Sequence, residues 1–463
     1  MRPRLRDQPA HQPTHTLDVD RVRSHFDFPD LGRIVTNNAA STQPPRELAA
    51  LLTSLTKGYE NVHRGQSVAS QQMTELFEAC YDTFAQWLNA PSRRSIATYR
   101  NTTEAINAVM YSLLTDFRDG DNVVTTMLEH NSDFVPWYAM GREILPRFGR
   151  HVECRIARFN HQTGELDLDH LAGQVDHRTK LVCVTGASNF LGTKPPLSLI
   201  RAIADGSGYR RDDGSSGSLL LVDAAQLVPS SYVDVQRLDV DYLAFSCHKM
   251  LAPFGVGILY AKERLLAQAR PFLYGGDMIA AGRVAPDQVE YNELPWKYAA
   301  GTPNILGVIA SAHALRLLLD LVGVDGSTRW FSSTAPLPAP LVAKTMDCVG
   351  RHTAELTELA LCEAMSIDGL RCYGPAAGLP RSPLLAFNVA GVDPFALAED
   401  LGREGVEARA GCHCATLAHR ALGMNPPASC RLSFALYNTR DDVAHAMDAV
   451  RRVSDRLRRA VQS

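Results

Sequence analysis

The sequence predicts an α/β protein built on a mainly parallel sheet, followed by a smaller C-terminal α+β domain. Three observations predict it. Short apolar, β-branched runs recur between residues 21 and 300, at 122–128 (NVVTTML), 180–186 (KLVCVTG), 218–224 (SLLLVDA) and 241–247 (DYLAFSC). Such near-continuous runs read as strands covered on both faces. Amphipathic stretches lie between them, at 74–90 and 103–117, and strand–helix alternation favours a parallel sheet. Third, a Pro- and Ser-rich stretch at 325–342 follows a helix-like run at 310–322 and marks a boundary.

Taken in order, residues 1–30 read as an N-terminal arm, because the first twenty are polar with Pro, Gln and His. Residues 31–324 form the large domain, 325–345 a loop insertion, and 346–463 the small domain. A second loop of Gly, Ser and charge occupies 205–218. No internal repeat is present.

Composition narrows the function. The 463 residues can bury a large core without staples. Lys plus Arg is 47 and Asp plus Glu is 50, for a net charge of −3. A nucleic-acid-binding role, which needs a concentrated basic face, is not expected. Ten cysteines with no CxxC argue against a disulfide framework or zinc ribbon. The N-terminus has no apolar signal core, and no apolar run approaches the roughly 20 residues of a membrane span. The expectation is a cytoplasmic protein with no membrane partner and no metal.

The chemistry gathers at the ends of the expected strands, where α/β proteins place ligands. DYLAFSCHKM puts Ser246, His248 and Lys249 at one such end. Alone, a lysine there is more often a solvated strand end; partly buried, it is a nucleophile toward a carbonyl. SLLLVDAAQ puts Asp223 at another, and alone such an Asp usually caps a turn. Together they match what pyridoxal phosphate requires: a lysine for its aldehyde and an acid to keep its ring nitrogen protonated. RNTTEAINAVM supplies Thr102 and Thr103 ahead of a helix, with Glu104 in its first turn. That is a capping signature and a phosphate-ready helix start. His130 follows a further strand and would face the cofactor ring.

The C-terminal region carries EARAGCHCATLAHRALG. A Cys412–His413–Cys414 metal site lacks a second ligand cluster, and a C-x-C disulfide would be strained. A loop-borne reactive thiol remains, with Arg409 and His413 as neighbours that raise its thiolate fraction. Arg431, ahead of a strand-like run, is either a surface ion pair or a bidentate clamp for an α-carboxylate.

These segments together resemble the class V, fold-type I pyridoxal-phosphate enzymes, and within them the group II cysteine desulfurases and selenocysteine lyases. The resemblance spans about residues 30–455. It is carried by NNAASTQPP (37–45), NVHRG (61–65), RNTTEAIN (100–107), EHNSDFVPW (129–137), SNFLGT (188–193), VDAAQ (222–226), SCHKM (246–250), AGTPN (300–304), RAGCHCA (409–415) and CRLSFALYNT (430–439). It implies a large, mainly parallel sheet domain of the seven-stranded type.

It also implies roles. Lys249 would be the Schiff-base lysine and proton shuttle, Asp223 the partner of the ring nitrogen, and Gln226 that of the phenolic oxygen. His130 would stack on the ring and handle the substrate thiol's proton. Thr102, Thr103, Ser246 and His248 would surround the phosphate. Thr302 would reach the phosphate of a partner subunit, which implies a homodimer with shared sites. Asn189 and Arg431, with Arg409 nearby, would bind the substrate carboxylate. Cys414 aligns with the catalytic cysteine. The implied reaction removes sulfur from L-cysteine, leaving alanine and a Cys414 persulfide for an acceptor protein or small thiol. The alternative is a C–S lyase, aminotransferase or epimerase on the same scaffold, which needs no loop thiol. Departures from the family pattern cluster around the thiol and substrate: Cys412 stands where a His is usual, Gly186 where another His is common, and Ala252 where Gly is usual.

Overall fold

The computed structural model describes residues 15–462. A seven-stranded sheet forms its centre: β1 (Ile96–Tyr99), β2 (Asn122–Thr126), β3 (Glu153–Ala157), β4 (Thr179–Thr185), β5 (Leu219–Asp223), β6 (Tyr242–Ser246) and β7 (Gly257–Ala261). Their order across the sheet is β1-β7-β6-β5-β4-β2-β3. Only β7 runs antiparallel to its neighbours, β1 and β6. The other pairings are parallel.

Side-chain alternation divides each apolar strand between two cores. Leu220, Val222, Val182, Val184, Leu243 and Phe245 enter one cluster. Leu219, Leu221, Leu181, Cys183, Tyr242 and Ala244 enter the other. Helix α1 (Val68–Trp87) and helix α3 (Ile305–Val322) cover the first face through Phe77, Phe84, Ile309 and Leu315. Helix α2 (Thr102–Leu113) covers the second through Ala105, Ile106 and Val109. Helix α3 is apolar enough to cross a membrane by length and composition, yet 89% of it is buried inside the protein. It is apolar all round because protein surrounds it.

The small domain holds a four-stranded antiparallel sheet: β8 (Leu370–Tyr373), β9 (Leu384–Val389), β10 (Arg409–Gly411) and β11 (Ser429–Ser433), in the order β8-β9-β11-β10. Helices α4 (Ala339–Ala364), α5 (Pro394–Arg403) and α6 (Arg440–Gln462) back it. Leu356, Leu397 and Met447 meet Phe387 and Leu432 in a third core.

Two expectations about chain organisation change. Residues 1–14 of the expected arm lie outside the described residues. Residues 15–30 are packed, with Val22, Phe26 and Phe28 buried and the Phe26 ring 4.8 Å from that of Tyr437. Ile34–Val35 then pairs with Val406–Glu407, so the chain start lies against the small domain. The expected insertion at 325–345 is shorter, because α4 already begins at Ala339. Its remainder is a largely exposed loop pinned at the buried Trp330 and Leu337. The Asp320 carboxylate accepts the Trp330 and Phe331 N–H groups at 3.0 and 2.8 Å, and the Trp330 ring is buried.

Candidate active site

A cavity of about 270 Å³ opens where β2, β4, β5 and β6 end. Successive strand ends deliver its lining: Thr102 and Thr103 after β1, His130 after β2, Asn189 after β4, Asp223 and Gln226 at β5, Ser246, His248 and Lys249 at β6. Arg409 and Arg431 enter from the small-domain sheet. Eleven residues expected from sequence thus converge on one cavity. Thr302 does not line it; it is exposed in the loop after Gly301. Cys414 stands beside it.

At one end, hydroxyls crowd a helix start. Asn101, not either threonine, caps α2 by accepting the Glu104 N–H at 3.0 Å. Glu104 accepts the Arg100 N–H in return. Thr102 and Thr103 are therefore free to face the cavity. The Thr102 N–H donates to Ser246 Oγ at 2.8 Å. The hydroxyls of Thr103 and Ser132 pair at 2.6 Å. Gly257 of β7 lies so close to Asn101 that a Cβ there would meet its backbone at 2.4 Å, and this holds the helix start against the sheet.

At the other end stand the titratable groups. Burial raises the Asp223 carboxyl above its usual range, while the Ala225 N–H at 2.9 Å and the Lys249 charge oppose this. Burial pulls the Lys249 amine down to about 8 against the attraction of Asp223. Lys249 sits on a tight turn, Cys247–Lys249, pinned from the N-terminal loop: the Thr42 N–H donates to the His248 carbonyl at 3.0 Å. Gln226 uses one N–H of its amide on the Ala39 carbonyl at 2.6 Å, which leaves the second free to donate. Burial lowers both His130 and His248 to about 4, so both are neutral near pH 7. The Ser132 N–H donates to His130 Nδ1 at 3.1 Å, which places the His130 proton on Nε2. In this tautomer His130 presents an Nε2–H donor.

The small domain brings cations. Arg431 is buried, and its Nη1 donates to the Asn189 carbonyl at 2.6 Å. Its Nε and Nη2, and Asn189 Oδ1, are buried with no partner. Burial and the neighbouring Arg409 pull Arg431 down to about 9. Cys414 sits in a loop whose residues His413 and Cys414 both take left-handed backbone angles, φ 50° and 57°. The Asn131 N–H, next to His130, donates to the Cys414 carbonyl at 2.6 Å. Arg409 Nη2 approaches Cys414 Sγ at 3.9 Å. Of the two expected thiol neighbours, Arg409 alone faces the sulfur. The His413 ring turns away to Ser429. At Gly186 a Cβ would meet Leu227 at 2.8 Å and Val222 at 3.1 Å, so a ring has no room there. Among the described residues no three His, Cys, Asp or Glu side chains gather to hold a metal ion.

Sequence reasoning missed three groups. Ser132 links Thr103 to His130; its signal was a serine two residues after a strand-end histidine. Glu129 and Asp133 form a buried acid pair behind that turn. The Thr126 hydroxyl donates to Glu129 at 2.6 Å and the Trp137 indole to Asp133 at 3.1 Å. Burial raises both carboxyls, with the Asp223 charge adding to it at each and the Glu129 charge adding to it at Asp133, so the pair retains a proton where isolated acids would not.

The residues fit pyridoxal phosphate. A helix start with three hydroxyls suits a phosphate, the buried Asp223 makes no direct ion pair among the described residues and could take a protonated ring nitrogen, and Lys249 is available for the aldehyde. Fold and site together define an α/β enzyme of the pyridoxal-phosphate class. The sequence profile of the aminotransferase class-V family matches residues 34–335 and 340–445. A "Probable cysteine desulfurase" of Halobacterium salinarum is 36% identical over 444 residues, covering 94% of this chain and 96% of that one. A cysteine desulfurase of Serratia proteamaculans is 33% identical over 451 residues, covering 96% and 100%. Among solved structures, the cysteine desulfurase CsdA of Escherichia coli superposes with TM-score 0.78 at 28% identity, covering 95% and 99%. A cysteine desulfurase of Thermococcus onnurineus gives TM-score 0.80 at 27% identity, covering 94% and 98%. The chain belongs to the aminotransferase class-V family, in its pyridoxal-phosphate-dependent cysteine desulfurase branch.

Proposed function

We propose that this enzyme takes sulfur from L-cysteine onto Cys414, releasing L-alanine, and passes that sulfur to an acceptor protein or small thiol. The observation that carries the reading is a loop cysteine 3.9 Å from Arg409, which lines the Lys249–Asp223 cavity together with a buried Arg431 that keeps two nitrogens without a partner. Bound pyridoxal phosphate supplies an electron sink for a carbanion at the substrate Cα.

The chain does the rest. Thr102, Thr103, Ser246 and His248 hold the phosphate, Gln226 the phenolic oxygen, and Asp223 keeps the proton on the ring nitrogen. His130 covers the ring and presents its Nε2–H. Arg431 holds the substrate carboxylate, the acceptor its spare Nε and Nη2 lack, and Asn189 offers it the second N–H of the amide that already donates to the His413 carbonyl. Lys249 Nζ, freed by the incoming amine, takes the Cα proton; an amine near 8 is matched to that task at neutral pH. Cys414 Sγ attacks the substrate sulfur. The Cβ–S bond breaks, its electron pair stays on carbon, Cβ takes a proton to become the methyl of alanine, and Lys249 Nζ returns a proton to Cα.

Thr302, exposed and outside its own cavity, reaches the phosphate of a second protomer in a homodimer, and the enzyme works in the cytoplasm. The test is mass mapping of peptide 410–420 after incubation with L-cysteine and no reductant. One added sulfur on Cys414 supports the reading; an unmodified Cys414 while alanine accumulates refutes it.

A further inference from the structure

Cys414 owes its position to groups far from the cofactor. Both His413 and Cys414 hold left-handed angles, which non-glycine residues keep only where the surroundings over-determine them. Two backbone carbonyls of the loop are already held, that of His413 by the Asn189 amide at 2.6 Å and that of Cys414 by the Asn131 N–H at 2.6 Å. A third restraint comes from behind. His413 Nε2 lies 3.1 Å from Ser429 Oγ, and His419 Nε2 lies 3.0 Å from the same oxygen. His419 Nδ1 lies 3.0 Å from the Ala415 carbonyl. All three side chains are buried, and the His419 ring stacks on Phe190 at 3.6 Å.

Donor counting fixes the direction of this chain. A carbonyl only accepts, so His419 Nδ1 carries the proton. Both imidazoles are neutral, because burial and the Arg431 charge disfavour the imidazolium. His419 Nε2 is therefore bare and takes the one Ser429 hydroxyl proton. Ser429 Oγ has nothing left to give to His413, so His413 Nε2–H is the donor. The bonds run one way, from His413 through Ser429 and His419 to the Ala415 carbonyl. His413 Nδ1 is left bare, and it is buried without a protein partner. The chain begins on the residue before Cys414 and ends on the residue after it.

We propose that Ser429 and His419 are positioning residues for the Cys414 nucleophile: with His413 they close a hydrogen-bonded bracket that holds the cysteine loop in its left-handed, cavity-facing form. The inference rests on Cys414 being the sulfur acceptor. Ser429 is the single joint of the bracket, and β11 fixes it by pairing it with Gly411. Removing its hydroxyl releases both imidazoles at once.

The test uses the cofactor-loaded enzyme and the variants Ser429→Ala, Ser429→Thr and Cys414→Ala. Three quantities are read: the visible absorption of bound cofactor and its response to L-alanine, the rate of alanine formation from L-cysteine, and the rate of Cys414 alkylation by iodoacetamide within peptide 410–420. Ser429→Ala is expected to keep the cofactor absorption and the L-alanine response. It is expected to lose alanine formation by about 10- to 100-fold, the cost of a roughly 1 Å misplacement, and to change the alkylation rate of Cys414 several-fold. Ser429→Thr, which retains the hydroxyl, is expected to restore both rates. Unchanged turnover and alkylation in Ser429→Ala overturn the proposal. So does a parallel loss of cofactor binding, or failure of Ser429→Thr to restore either rate. If Cys414→Ala still makes alanine, the acceptor reading falls by itself, while the alkylation rates still report on the bracket.

Discussion

Replacing Arg431 with methionine separates a functional charge from a structural one. In the free site the guanidinium has no carboxylate partner, and two of its nitrogens are buried and unused. A substrate carboxylate would take both. Charge-assisted hydrogen bonds contribute about 1.5–3 kcal/mol each. The low end for two bonds is about 3 kcal/mol, or about 100-fold in kcat/KM at roughly 1.4 kcal/mol per tenfold. The loss belongs mainly in KM, because the carboxylate does not react. Arg431→Lys keeps a charge without the fork and falls between, at about 10-fold.

Stability moves differently. Burial already pulls Arg431 down to about 9, so the charged form is penalised in the free fold, and methionine relieves that penalty. The lost bond to the Asn189 carbonyl offsets about 1 kcal/mol of the relief. The melting temperature of Arg431→Met is therefore expected to hold or rise while KM climbs. Steady-state alanine release against L-cysteine concentration, with thermal melts on the same preparations, checks both. An unchanged KM, or a KM rise accompanied by a clear drop in melting temperature, would show that Arg431 is a structural pin.

Other outcomes follow from the same geometry. Cys414→Ser should abolish alanine formation by roughly 10³-fold or more, as loss of a nucleophile does, while the cofactor's visible absorption stays; stopped assays and absorbance spectra check this. Asp223→Asn removes the preorganised acid at the ring nitrogen, and turnover should fall by about 100-fold with a displaced absorption maximum. His130, His248 and His419 all titrate in the fold near 4, below their ordinary value. Between about 6.5 and 4 the unfolded chain binds protons that the native one refuses, so stability falls as pH drops through that window. Melting temperatures measured from pH 7 to pH 4.5 should decline steadily, and His419→Gln should flatten the slope.

What was legible in the sequence followed from burial. Strands β2, β4, β5 and β6 were readable because a sheet covered on both faces demands unbroken apolar runs. The residues just past them were readable because strand ends are where such a sheet exposes chemistry. Strand β3 was missed because Glu153 and Arg155 give it a half-exposed edge character. Strand β1 was missed because its four residues, Ile96–Tyr99, are too short a run to show a period. The packed N-terminal segment was hidden because Phe26 and Phe28 find Tyr437 only after the whole chain has folded. The same holds within the site. Arg431 was visible as a candidate, but its idle nitrogens were not. His413 looked like a partner for the thiol, and only the pairing of β10 with β11 shows that it turns to Ser429.

The most direct test of sulfur removal by thiol attack is a product balance. Cofactor-loaded enzyme is incubated with L-cysteine and a reductant, and alanine, sulfide, pyruvate and ammonia are quantified beside the Cys414→Ala variant. The structure predicts alanine and sulfide in equal amounts from the parent enzyme and neither from the variant. Pyruvate with ammonia, undiminished in the variant, would contradict it and assign the site to β-elimination.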